Sequence, residues 1–139
     1  MLLVLALLVL VTGTACMSGS APTGPPVDER SGIRGTTRFD TVSGVPGGGT
    51  TSRLASIEFA IAPVQNGQPA YDRSVFVKSD PQGAFTVDLR PGTYWIGAKE
   101  KALDPARYSP RDVTFSEVTL VVPSGIYVSV ALVQTGFAP

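Results

Sequence analysis

Few side chains in this sequence can do chemistry. One thiol, Cys16, follows the small residues Thr12, Gly13, Thr14 and Ala15 and an apolar run from Leu2 to Val11. It is the only cysteine, so no intrachain disulfide forms. Histidine is absent, which excludes a Ser or Cys nucleophile activated by imidazole within this chain. Zinc and copper sites built on His or on several Cys are excluded for the same reason. Acid–base chemistry needs only two carboxyl groups at a suitable separation, and Asp80 with Asp88, or Glu100 with Asp104, are candidates by proximity. Asp80 is accounted for as a turn former and Asp88 as a solvated strand residue, so no catalytic residue is assigned. The loop carboxylates follow no spaced calcium motif, and no metal or other cofactor is expected. Three aromatics remain: Trp95, Tyr127 and, more weakly, Tyr108. Their faces could stack on sugar rings or pack against a protein, and the competing role is cover by the other sheet or a loop.

The apolar run is about ten residues, whereas a helix needs roughly 20 to cross the hydrocarbon core, so it suits the middle of a signal peptide. With the small residues and Cys16 it resembles the lipobox of bacterial lipoproteins, although Gly13 stands where an aliphatic residue is usual. That resemblance implies a signal peptide over residues 1–15, cleavage before Cys16, and a diacylglyceryl group on the thiol. Acyl methylenes bury at about 0.8 kcal/mol each, and two or three chains hold a small protein on a membrane. Met17 rather than Asp follows the cysteine. By the same resemblance the chain is exported and lipid-anchored to the cell envelope, with the outer membrane favoured in a Gram-negative cell.

Eleven basic and eleven acidic side chains balance, with no block of like charge, so no nucleic-acid partner is expected. From Met17 to Ser31 the sequence is rich in Ser, Gly and Pro. Such a stretch buries too little surface to offset its ordering entropy and reads as a flexible tether after Cys16. Residues 32–139 suffice for one domain.

The elements that must position the aromatics have period two, the mark of strands with one buried face. Ile33, Gly35, Thr37 and Phe39 share one side of a first strand, and the Gly-rich SGVPGGGTTSR after it reads as a mobile loop. Ile57, Phe59 and Ile61 point inward on a second strand while Ser56, Glu58 and Ala60 point out, and Asn66–Gly67 signals a turn. Val75 and Val77 share a face of the next segment. Asp80–Gly83 fits a type I turn, and Phe85, Val87 and Leu89 follow on an inner face. Arg90–Thr93 fits a type II turn with Gly92 at positive φ. Tyr94, Ile96 and Ala98 then oppose Trp95 and Lys99, and Tyr94 is expected in the core with its hydroxyl on a backbone partner. A polar loop over 100–111 precedes a closing hairpin, in which Val118, Leu120 and Val122 oppose Ile126, Val128, Val130 and Leu132 across the turn Pro123–Gly125. Six or seven short strands without a convincing helix predict an all-β sandwich.

The run SDPQGAFTVDLRPGTYWIGA resembles the hallmark of carboxypeptidase regulatory-like, prealbumin-like and Cna-B-like domains. GIRGTTRFD resembles their opening strand and SEVTLVVPSGIYVSVAL their closing hairpin. The resemblance implies an Ig-like or prealbumin-like antiparallel sandwich of about seven strands, used for structure, adhesion or carbohydrate contact without catalysis. The Lys–Asn isopeptide bond of some Cna-B-like domains is not expected. The opening strand offers Arg34 and Arg38, and the only asparagine is Asn66 in a turn. The expected whole is a signal helix and tether carrying a non-catalytic structural or protein-interaction module at the envelope. A glycan- or envelope-polymer-binding module using the aromatics is the first alternative, and a carboxylate-dependent enzyme the second.

Overall fold

The computed structural model describes residues 30–110 and 113–138. The expected signal helix, Cys16 and the tether before Arg30 lie outside the described residues. In chain order the strands are β1 (Gly32–Ser43), β2 (Thr50–Leu54), β3 (Glu58–Gln65), β4 (Gln68–Pro69), β5 (Val75–Lys78), β6 (Ala84–Asp88), β7 (Gly92–Ala98), β8 (Val113–Phe115), β9 (Val118–Val122) and β10 (Tyr127–Ala138). A 3-10 turn (Tyr71–Arg73) precedes β5, and a short helix, α1 (Lys99–Leu103), follows β7. The strands form two five-stranded sheets. One has the order β2-β1-β10-β8 with β6 also on β1, and the other the order β4-β3-β7-β9 with β5 also on β3. The fold is an all-β sandwich, as the alternation predicts.

Ile33, Phe59, Ile61, Phe85, Ile96, Val122 and Leu132 fill the space between the sheets. The Phe59 ring of the second sheet meets the Phe85 ring of the first edge-on, centroids 4.9 Å apart. Tyr94 packs against this cluster and its hydroxyl donates to the Arg90 carbonyl at 2.8 Å, as expected of it. At one edge of the core, Thr37 and Ser79 are buried polar residues whose hydroxyls lie 2.6 Å apart. Thr37 also donates to the Ala55 carbonyl at 2.5 Å, and the Ile57 amide donates to Ser79 at 2.9 Å. These bonds tie together two of the crossings between sheets, those after β2 and after β5, and satisfy hydroxyls that would be costly to enclose alone. The second crossing is the Asp80–Gly83 turn. The Gly83 amide donates to the Asp80 carbonyl, the Asp80 carboxylate accepts from the Gln82 and Ala84 amides, and Gly83 takes φ +78°.

Several local expectations are corrected. The Gly-rich stretch is loop only in part: β1 runs on to Ser43 and β2 returns antiparallel to it, with Val42 opposite Thr50, so the loop is confined to residues 44–49. Ala60 does not face solvent; it is fully buried because the outer face of the second sheet carries a third layer. Gly92 has no positive φ and is the first residue of β7, paired with Val122. The polar segment 100–111 contains most of α1. Lys, Glu, Ala and Leu favour a helix there, and Pro105 stops it by pushing Asp104 out of the helical region.

The closing pair is not a hairpin. β9 belongs to the second sheet beside β7, whereas β10 belongs to the first and lies parallel to β1 along its whole length, from Gly32 opposite Tyr127 to Ser43 opposite Ala138. Ile126, expected on the inner face, is 52% exposed in the crossing between the sheets.

Candidate binding cleft beside the short helix

The third layer explains the fate of the most prominent aromatic. Trp95 projects from the outer face of β7, as its parity dictates, yet it is only 4% exposed. Ala60 and Ala62 of β3 provide its floor, Ala102 of α1 covers it, and Tyr71 meets its ring edge-on at 5.1 Å. Gly97, two residues along the same strand face, lets the indole lie flat, since a Cβ there would come within 2.1 Å of the ring. Trp95 is therefore covered by a neighbouring element and presents no stacking face.

Glu117, which the sequence reading did not single out, ties this layer down. It lies in the two-residue link between β8 and β9. Its carboxylate accepts from Trp95 Nε1 at 3.0 Å and from Lys101 Nζ at 2.6 Å. The Lys101 ammonium also lies 5.8 Å from the Trp95 ring and 5.9 Å from the Tyr108 ring. Its hydrogen bond to Glu117 holds Lys101 above the ordinary lysine value, against the opposing effect of burial. A lysine whose folded pKa is raised stabilises the fold below its unfolded pKa and loses that contribution as pH rises through the folded one. Lys101→Met is thus expected to cost about 0.5 kcal/mol at neutral pH, a modest figure because the pair is screened by solvent. The gap to wild type should close above the ordinary lysine range. Urea titrations followed by fluorescence of Trp95, the only tryptophan, check this; a gap that persists at high pH would assign Lys101 a packing role alone.

Tyr127 is committed as well. Gly32 pairs with Tyr127 on one side and Asp88 on the other. The Tyr127 ring passes over Gly32 and its hydroxyl donates to the Asp88 carboxylate. Asp88 sits at the far end of β6 from the turn holding Asp80, about 13 Å along an extended strand, so this carboxylate pair is not brought together.

Tyr108 has a different setting. The turn after α1 positions it: the Asp104 carbonyl accepts from the Arg107 and Tyr108 amides at 3.3 and 3.0 Å, and the Asp104 carboxylate accepts from the Arg107 amide at 3.2 Å. The sequence signal was Asp104–Pro105, a turn opening like Asp80–Pro81. Tyr108 lines an open cleft of about 610 Å³ between this turn and the β8 edge of the first sheet. Phe115 of β8, Gln134 of β10 and the carboxylates of Glu100 and Asp104 share its wall. Partial burial, with the carboxylates of Glu117 and Glu100, raises the Tyr108 phenol above its ordinary value, partly offset by Lys101. Glu100 and Asp104, one helical turn apart, thus face a common space, but both are exposed, and Asp104 lies 3.8 Å from the Arg107 guanidinium. The cleft offers aromatic faces, hydrogen-bond acceptors and the Arg107 guanidinium, a set suited to holding a polar ligand. No protein-family model matches this chain, and neither does any curated protein.

Proposed function

We propose that this chain is an exported lipoprotein, anchored through Cys16, that presents a non-catalytic sandwich of the carboxypeptidase regulatory-like kind as an interaction module at the cell envelope. The observation that supports this reading is the placement of the cleft relative to the tether. The chain enters the sandwich at Gly32, opposite Tyr127, whereas the cleft residue Gln134 lies about 23 Å further along β10. A module held at the Gly32 end turns its cleft away from the anchoring surface. The composition of the cleft favours a polyhydroxylated segment of an envelope polymer as its ligand. Tyr108 and Phe115 supply rings for a sugar face, and Glu100, Asp104 and Gln134 supply acceptors for hydroxyl groups.

One series of strains tests both halves of the proposal. Wild type should carry a diacylglyceryl mass on the mature N-terminal cysteine and fractionate with membranes, and Cys16→Ser should be released. Tyr108→Ala should remain on the membrane but lose at least about tenfold in retention of cell-wall glycan. An unmodified N-terminus would sink the anchor, and wild-type retention no better than that of Tyr108→Ala would sink the cleft.

A further inference from the structure

The two long sides of the sandwich differ in how their strand edges are finished. On one side the edge strands are short and carry charge or proline: Arg53 on β2, Pro69 on β4, Lys78 on β5 and Asp88 on β6. These are the devices by which proteins discourage strand addition. The other side is formed by β8, β9 and β10, and no Asp, Glu, Lys or Arg occurs anywhere from Val118 to Pro139.

Along that side the first sheet is incomplete. Among the described residues, β8 pairs with the outer edge of β10 from Gln134 to Gly136. After the Ser116 amide has donated to the Val133 carbonyl at 2.9 Å, the chain leaves for the second sheet. Among the described residues, Val128 to Leu132 of β10 pair with β1 alone. The Gly32 amide donates to the Ile126 carbonyl. In a parallel ladder this sets the even-numbered residues of β10 to bond β1, and turns the amides and carbonyls of Ser129 and Ala131 outward. The side chains of Ser129 and Ala131 are exposed and small, so nothing on them blocks an approaching strand. The inward-facing Val128 and Val130 pack on the core yet stay half-buried, leaving the core partly uncovered along this edge.

We propose that this edge pairs with the same edge of a second copy of the chain, β10 antiparallel to β10 about a two-fold axis. The absence of charge favours a second copy as occupant. Two identical edges meeting across a two-fold axis bring the same patch against itself, and an edge of one charge would repel its copy, whereas Val128–Leu132 offers only apolar and small side chains. With the axis at Val130, Ser129 of one chain lies opposite Ala131 of the other. Both outward-facing residues of each strand are then satisfied, and Val128 meets Leu132. β8 keeps its place beside Gln134–Gly136, so the cleft stays open in each copy.

Sedimentation equilibrium of the full chain in a mild detergent tests the pairing. Wild type is expected to be dimeric at micromolar concentration. Ala131→Lys, which puts like charges side by side across the axis, should raise the dissociation constant at least about a hundredfold. Thr86→Lys on the opposite side should change nothing. Ser129→Lys, with Trp95 fluorescence as the check on folding, stands in if Ala131→Lys fails to fold. A wild type that stays monomeric, or a dimer that both edge lysines leave intact, overturns the proposal.

Discussion

Trp95→Ala is expected to lower the free energy of unfolding by about 3–5 kcal/mol, the range for removing a large aromatic from a packed interior. That is a large share of the roughly 5–15 kcal/mol available to a domain. The indole fills the layer between β3, β7 and α1, and its nitrogen occupies one oxygen of Glu117. Five residues are far too few for a helix to persist alone, so α1 depends on this layer for its place. The substitution should therefore also disorder one wall of the cleft, and loss of a ligand in this variant would not mean that Trp95 touches it. Trp95→Phe keeps most of the volume and loses the bond to Glu117, which should cost about 1–2 kcal/mol. Urea denaturation followed by circular dichroism measures both. A cost below about 1 kcal/mol for the alanine would show that the helix does not rest on the indole.

Phe59→Ala is expected to be of similar size, about 3–5 kcal/mol, by a different route. Phe59 is fully buried and is the side chain through which the sheets meet: its ring lies edge-on to Phe85 and stacks at 6.3 Å on Phe115. Phe115 lines the cleft, so the cavity opened in the core undermines the cleft from within. At roughly 4–8 °C per kcal/mol for a domain of this size, thermal unfolding should shift down by at least about 12 °C. Phe137→Ala, a ring that is 60% exposed, should change stability by no more than about 0.5 kcal/mol. If the two alanine variants melted together, the core would not be organised around Phe59.

The alternation of β1, β3, β6 and β7 was legible because each strand has one face on the common core, and that face recurs every second residue. The turns at Asn66–Gly67 and Asp80–Gly83 were legible because a positive φ or an Asp side chain demands those residue types locally. What stayed hidden was set by distant partners. Nothing in TYWIGAKEKAL says that a single helical turn will fold back over Trp95. Its apolar contribution is chiefly Ala102, and the Lys–Glu composition reads equally well as a solvated loop. Pro123–Gly125 can turn a chain within a sheet or between sheets, so local pattern could not show that β9 and β10 part company. Tyr127 and Trp95 both stood at outward positions, and both prove to be held by carboxylates far away in the sequence, Asp88 and Glu117. Only Tyr108, in the least patterned segment, keeps a place in an open cleft.

The parallel alliance of β1 with β10 also decides how the module answers a mechanical load. Gly32 begins one strand and Ala138 ends the other, so the chain leaves the ladder at opposite ends of the same two ribbons. Tension between those points acts along the strands, and the ladder can yield only by sliding, with the load shared among its hydrogen bonds. In an antiparallel hairpin pulled from its two free ends, the bonds would open one after another. A domain tethered at residue 32 and pulled from its far end thus bears force in its more resistant direction, with the twelve residues of each strand acting together.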